Sequence, residues 1–180
     1  MDDERTEVGL RIEKEALAAA ESAHEALRSA GATCATAESL TGGLIGAHLT
    51  AVPGSSATYL GGVVTYATET KAALLGVPED LLAEHGAVHP DVAAHMARGV
   101  RRLTGADHGV AVTGVAGPEP QDGQPVGTVY AAVTGPDSRT RVVRFSFTGD
   151  RAGIRLDTVK GALMLLRTAV RGDVTGNTRA

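Results

Sequence analysis

Apolar positions in this chain change period several times, and each change marks an element. Val8, Ile12, Ala16, Ala19, Ala23 and Leu27 recur at helical spacing, which predicts a long helix over 5–30 that stops at Gly31. A short apolar run at 33–37 predicts a strand, and 41–50 a helix that ends before Pro53. Val52-Pro-Gly-Ser-Ser-Ala57 is dense in turn residues. Residues 61–66 predict a second strand closed by Tyr66, and 68–75 a short helix stopped by Gly76. Pro78 opens another short helix that ends at Gly86. Val92, Met96, Val100 and Leu103 define one face of a helix that begins at Pro90. A third strand at 107–113 runs into Gly114-Val-Ala-Gly-Pro118, and 119–125 reads as a mobile loop. Residues 126–133 and 141–147 predict a hairpin across Gly135-Pro-Asp-Ser138. The last helix, over 150–170, turns Ile154, Ala162, Leu166 and Ala169 inward.

Strands that alternate with helices, followed by a hairpin and a terminal helix, predict the α/β class. The architecture expected is a single-domain three-layer α/β/α sandwich, with a mixed sheet of about five strands and a long N-terminal helix. The domain covers 1–172, and 173–180 reads as a polar, disordered tail. In such sheets ligands bind beyond the C-terminal ends of the parallel strands. Ser39, Tyr66 and Thr113-Gly114 leave their strands at that edge.

Composition narrows the function classes. Aromatic residues make up 3% of the chain and Gly numbers 23, so the core is built from small side chains packed closely. A formal net charge of −4 gives no basic footprint for nucleic acid. Cys34 is the single cysteine, which excludes an intrachain disulfide and a cysteine-based zinc site. None of the six histidines falls in a His-Glu-x-x-His pattern, so their spacing gives a metal site no support. His89, in the loop before a helix, is the histidine expected to border a cleft. A charged N-terminus without an apolar run and the lack of a membrane-length segment predict a cytoplasmic protein.

The segment Cys34-Ala-Thr-Ala-Glu-Ser39-Leu-Thr-Gly-Gly-Leu-Ile-Gly46 carries the chemistry of greatest interest. It places the Ser39 hydroxyl at a strand-to-helix turn, beside the N–H groups of Thr41, Gly42 and Gly43, where a helix N-terminus favours negative charge. Two readings stand: a nucleophile with its oxyanion donors, or an N-cap with turn glycines. Tyr66 and Lys71 flank the next turn. A desolvated Lys71 or a Tyr66 tyrosinate could take a serine proton; on the other reading Lys71 is a solvated helix lysine and Tyr66 a sheet-edge residue. Arg151 and Arg155 lie one helical turn apart, as a phosphate clamp or as ordinary surface charge.

As an ordered set the segments resemble the C-terminal domain of the competence/damage-inducible CinA family, also found as stand-alone nicotinamide-nucleotide amidohydrolases. The matching residues are Ala37-Glu-Ser-Leu-Thr-Gly-Gly43, Val52-Pro-Gly-Ser-Ser56, Gly62-Val-Val-Thr-Tyr66 with Lys71, and Leu75-Gly-Val-Pro78. Gly86-Ala-Val88, Ala111-Val-Thr-Gly-Val-Ala-Gly-Pro118, Pro125-Val-Gly-Thr-Val129 and Gly149-Asp-Arg151 complete the set. The resemblance implies hydrolysis of nicotinamide mononucleotide to nicotinate mononucleotide and ammonia, with no metal or organic cofactor. It implies catalysis by Ser39, Tyr66 and Lys71, and a homodimer or larger assembly. Around them, Thr41, Gly42, Gly43, Ser55, Ser56, Thr113, Gly114 and Gly117 are expected to bind substrate, with Arg151 on the phosphate. Leu40, Thr68, His89 and the 119–123 loop depart from the family's usual residues. The competing expectation is a non-catalytic module that binds a nucleotide or a partner in competence or DNA-damage response.

Overall fold

A computed structural model describes the backbone of residues 2–176 and the side chains of 9–172. Five strands, β1 (Cys34–Glu38), β2 (Tyr59–Val64), β3 (His108–Gly114), β4 (Thr128–Thr134) and β5 (Thr140–Ser146), form one sheet in the order β2-β1-β3-β4-β5. β2, β1 and β3 run parallel, while β4 and β5 are antiparallel to their neighbours, so the sheet is mixed. Helices α1 (Asp2–Ala30), α2 (Leu44–Ala51) and α6 (Arg151–Gly176) cover one face. The short helices α3 (Thr68–Leu75) and α4 (Glu79–His85) and the longer α5 (Pro90–Thr104) cover the other.

The pleat divides the strands between two cores. Cys34, Val110, Val112, Val129, Ala131 and Val133 pack under α1 and α6, while Ala35, Ala37, Ala111, Tyr130 and Ala132 pack under α5. Glycine lets α5 lie close on the sheet: a Cβ on Gly109 of β3 would collide with the Ala97 carbonyl. Burial pushes the Cys34 thiol up to about 12, so it is a core atom and not a nucleophile near neutral pH.

Two boundaries differ from the expected ones near the Ser39 edge. β2 ends at Val64, two residues before Tyr66: the Thr65 N–H makes a last bond to β1, at the Glu38 carbonyl (2.9 Å), and the chain then turns into α3. α2 begins at Leu44, because Gly42 (φ 61°) and Gly43 (φ 102°) take left-handed conformations. At the C-terminus α6 continues through Gly176, beyond the expected end at 170, and 177–180 lie outside the described residues. Among the described residues no helix is long and apolar enough to cross a membrane.

Candidate active site

Ser39 leaves β1 one residue past Glu38, so the strand alternation points the two side chains to opposite faces. Glu38 turns toward α2. Its buried carboxylate accepts from the N–H groups of Gly43 (3.0 Å), Ile45 (3.0 Å) and Gly46 (2.9 Å). It neutralises the positive end of α2 and fixes that end to β1. Ser39 turns toward α3. Its N–H donates to the Val112 carbonyl of β3 at 3.2 Å, and its own carbonyl accepts from Gly42 at 3.1 Å. The carbonyls of Leu40 and Thr41 accept from Nε and Nη2 of Arg155, at 3.0 and 2.9 Å.

Lys71 reaches Ser39 from α3. Its side chain is fully buried, and Nζ lies 3.2 Å from Ser39 Oγ, 2.7 Å from the Thr65 carbonyl and 3.2 Å from the Tyr66 carbonyl. Burial pulls its ammonium down from 10.5 to about 8, against an opposing pull from Asp122 and a weaker one from Glu69. A neutral amine has two N–H donors and one lone pair. Two carbonyls accept the donors, which leaves the lone pair for the Ser39 hydroxyl.

Tyr66 plays a different part from Lys71. Its ring is exposed at the rim, where the hydroxyl accepts from Arg151 Nη2 at 3.1 Å. Arg151 Nη1 donates to the Gly117 carbonyl at 2.6 Å, so one guanidinium ties the β2–α3 turn to the loop after β3. The cleft so formed is lined by Ser39, Leu40, Tyr66, Lys71, Thr113, Gly114, Gly117 and Arg151, together with Ala87, Val88 and the 119–121 segment. Thr113 contributes through a buried hydrogen bond from its Oγ1 to the Ala87 carbonyl, at 2.7 Å.

Other expected site residues fall elsewhere. Ser55 and Ser56 form a 3-10 turn ahead of β2, at the edge where the parallel strands begin. The neighbouring Thr58 carbonyl accepts from Cys34, the first residue of β1. Within one chain that is the opposite end of the sheet from Ser39. Thr41 is fully buried, and neither it nor Gly42 and Gly43 lines the cleft. The Gly42 and Gly43 N–H groups expected to hold an oxyanion are engaged by the Ser39 carbonyl and by Glu38. The N–H groups of Leu40, Ala116 and Gly117, residues that do line the cleft, donate to none of the described residues. Arg155 grips the Ser39 turn and is not half of a phosphate clamp. His89 does not line the cleft: its Nδ1 caps α5 by accepting from Asp91 N–H at 3.3 Å, and its ring stacks on His85. Among the described residues no three His, Cys, Asp or Glu side chains converge to hold a metal ion.

Sequence reasoning passed over Glu38 and Asp122. Glu38 had a readable signal, an acid at a strand end just ahead of a glycine turn and a helix that lacks its own capping side chain.

Comparison with known proteins agrees with the architecture. A family model described as the CinA C-terminal domain matches residues 13–170. A CinA-like protein of Frankia casuarinae is 54% identical over 142 residues, covering 78% of this chain and 32% of that protein. One from Myxococcus xanthus is 52% identical over 146 residues, covering 79% and 34%. The chain thus spans about a third of the length of these relatives. A crystal structure of a competence/damage-inducible protein from Agrobacterium tumefaciens superposes with a TM-score of 0.83 at 36% identity, covering 87% of this chain and 96% of that one. A CinA-superfamily structure from Klebsiella pneumoniae gives 0.84 at 35%, covering 87% and 98%.

Proposed function

The chain belongs to the CinA C-terminal domain family, and from that premise we propose that it is an amidohydrolase that converts nicotinamide mononucleotide to nicotinate mononucleotide and ammonia. One observation carries the reading: a fully buried lysine amine, with an ammonium pulled down to about 8, lies 3.2 Å from a serine hydroxyl at the floor of a cleft. A serine hydroxyl needs a base to become a nucleophile, and a desolvated lysine supplies one.

In the proposed reaction neutral Lys71 takes the Ser39 proton as Oγ bonds to the carboxamide carbon. The oxyanion is held by free N–H groups of the cleft wall, for which Leu40, Ala116 and Gly117 are available. The intermediate collapses as the C–N bond breaks, and Lys71 returns its proton to the departing nitrogen, which leaves as ammonia. Water, deprotonated by Lys71, then attacks the Ser39 ester and releases the acid. Tyr66 and Arg151 sit at the rim, where a phosphate would find the guanidinium.

The experiment is ammonia release from nicotinamide mononucleotide, compared with a panel of other amides. Ser39→Ala should lose at least about 10³-fold in turnover while the fold survives. Retained turnover would overturn the serine mechanism. An acyl-enzyme trapped on Ser39 separates nucleophilic attack from activation of water.

A further inference from the structure

Residues 115–127 join β3 to β4 and bring Glu119 and Gln121 to the cleft. Their tip, expected as a mobile loop, folds as a hydrogen-bonded hairpin turn. Gln121 N–H donates to the Gln124 carbonyl at 3.1 Å, and Gln124 N–H donates back at 2.8 Å. Asp122 (φ 51°) and Gly123 (φ 71°) between them are both left-handed, as an Asp-Gly turn of type I′ requires.

The Asp122 carboxylate leaves this turn and grips a different segment. Its Oδ2 accepts from Ala87 N–H at 2.7 Å and from Val88 N–H at 3.2 Å. Only glycine fits beneath it, because a Cβ on Gly86 would collide with the carboxylate. On the other side the Ala87 carbonyl accepts from Thr113. The 87–88 segment of the cleft wall is therefore held by two connections that are distant in sequence.

We propose that Asp122 is a positioning residue of the Ser39–Lys71 site, one that locks the 119–124 hairpin and the 87–88 wall into one surface for the substrate in the cleft that Lys71 also lines. The effect on turnover rests on the amidohydrolase reading; the effect on Lys71 does not. Asp122 exerts the larger of the two favourable charge effects on the Lys71 ammonium, and Glu69, on the same helix as Lys71, the other. Tyr66, Glu119 and Arg151 are the remaining titratable or charged groups of the cleft. Removing the Asp122 charge leaves burial less opposed, so the amine loses its proton at lower pH. Asp122 is exposed, so salt weakens its hold on Lys71.

The test titrates Lys71 directly. The chain has three lysines, Lys14, Lys71 and Lys160, so the Cε signal of Lys71 in ¹³C-lysine-labelled protein can be assigned with Lys71→Arg. Asp122→Asn and Asp122→Ala should both lower its midpoint by roughly half a pH unit. Adding salt to about 0.5 M should move the wild-type midpoint the same way and the variants less. In the ammonia assay the acid limb should shift with the midpoint in both variants. KM should rise about tenfold in Asp122→Ala, which loses the acceptor for Ala87, and less in Asp122→Asn, which keeps an amide oxygen there. A KM that Asp122→Ala leaves unchanged, or a Lys71 midpoint that stays in place in both variants, overturns the proposal. Wild-type protein that releases no ammonia overturns the amidohydrolase reading instead, and the titration still decides the role of Asp122.

Discussion

Glu38 and Arg155 divide the Ser39 turn between them: the carboxylate takes N–H groups of Gly43, Ile45 and Gly46, and the guanidinium takes the carbonyls of Leu40 and Thr41. The serine hydroxyl is presented by a turn whose backbone is held at both ends. Glu38→Ala leaves three helix-terminal donors without their acceptor in a buried place. It should cost about 3 kcal/mol in urea unfolding. Glu38→Gln keeps one acceptor oxygen but turns an amide toward the other donors, and should cost about half as much.

Arg155→Met keeps most of the apolar stem and removes both hydrogen bonds to the turn. Stability should fall by about 1–2 kcal/mol. Turnover should fall further than that loss of folded protein explains, with kcat reduced more than KM changes, because Ser39 is then less well placed. Turnover that falls only as far as the lost folded fraction, with KM unchanged, would show that Arg155 serves the fold alone.

The Lys71 shift fixes two pH dependences. In the proposed reaction neutral Lys71 is the base, so kcat/KM should rise with pH through a limb near 8, with roughly a tenth of the molecules carrying the neutral amine at pH 7. Stability follows the same group. Between about 8 and 10.5 the unfolded chain keeps the Lys71 proton and the folded chain has lost it, so unfolding free energy should rise across that window. The gain is up to about 3 kcal/mol. Lys71→Met removes the contribution, and the difference between the two unfolding curves as a function of pH isolates it.

Gly62 of β2 is paired with Thr36 of β1, and a Cβ there would collide with Thr36 Oγ1 and stand 2.8 Å from the Thr36 carbonyl. The backbone atom cannot move aside. Gly62→Ala should therefore destabilise by about 2 kcal/mol in denaturant unfolding. Gly9→Ala in α1, where the added methyl meets nothing within 4 Å, should instead raise stability by up to about 1 kcal/mol.

The sequence was informative wherever the determining contact is local. α3 falls over 68–75 as expected, because Gly76 stops it and its backbone hydrogen bonds are its own. Ser39 and Lys71 were legible as a pair, since two parallel strands bring both following turns to one edge. The same rule placed Ser55 and Ser56 at the opposite edge, because their turn precedes its strand; the motif outweighed the topology. Partnerships across long separations were out of reach. Arg155 meets the Leu40 carbonyl 115 residues away, and Asp122 meets Ala87 35 residues away. No periodicity encodes such contacts. The desolvation of Lys71 was equally hidden, because it depends on what α3 packs against and not on the residues of α3.

Lys71, the proposed base, is tied by two hydrogen bonds to the carbonyls just past β2, and Ser39, the proposed nucleophile, stands just past β1. Their separation is thus a property of strand register, held by the pairing of Glu38 with Val64 and by the bond from Thr65 to Glu38. A slip of one residue would shift one against the other by about 3.3 Å and carry the pair out of hydrogen-bond reach. β2 is also an edge strand, paired on one side only, and such strands are among the first to peel away. Heating or denaturant should therefore silence the chemistry while most of the sheet is still intact, so that loss of activity runs ahead of loss of fold.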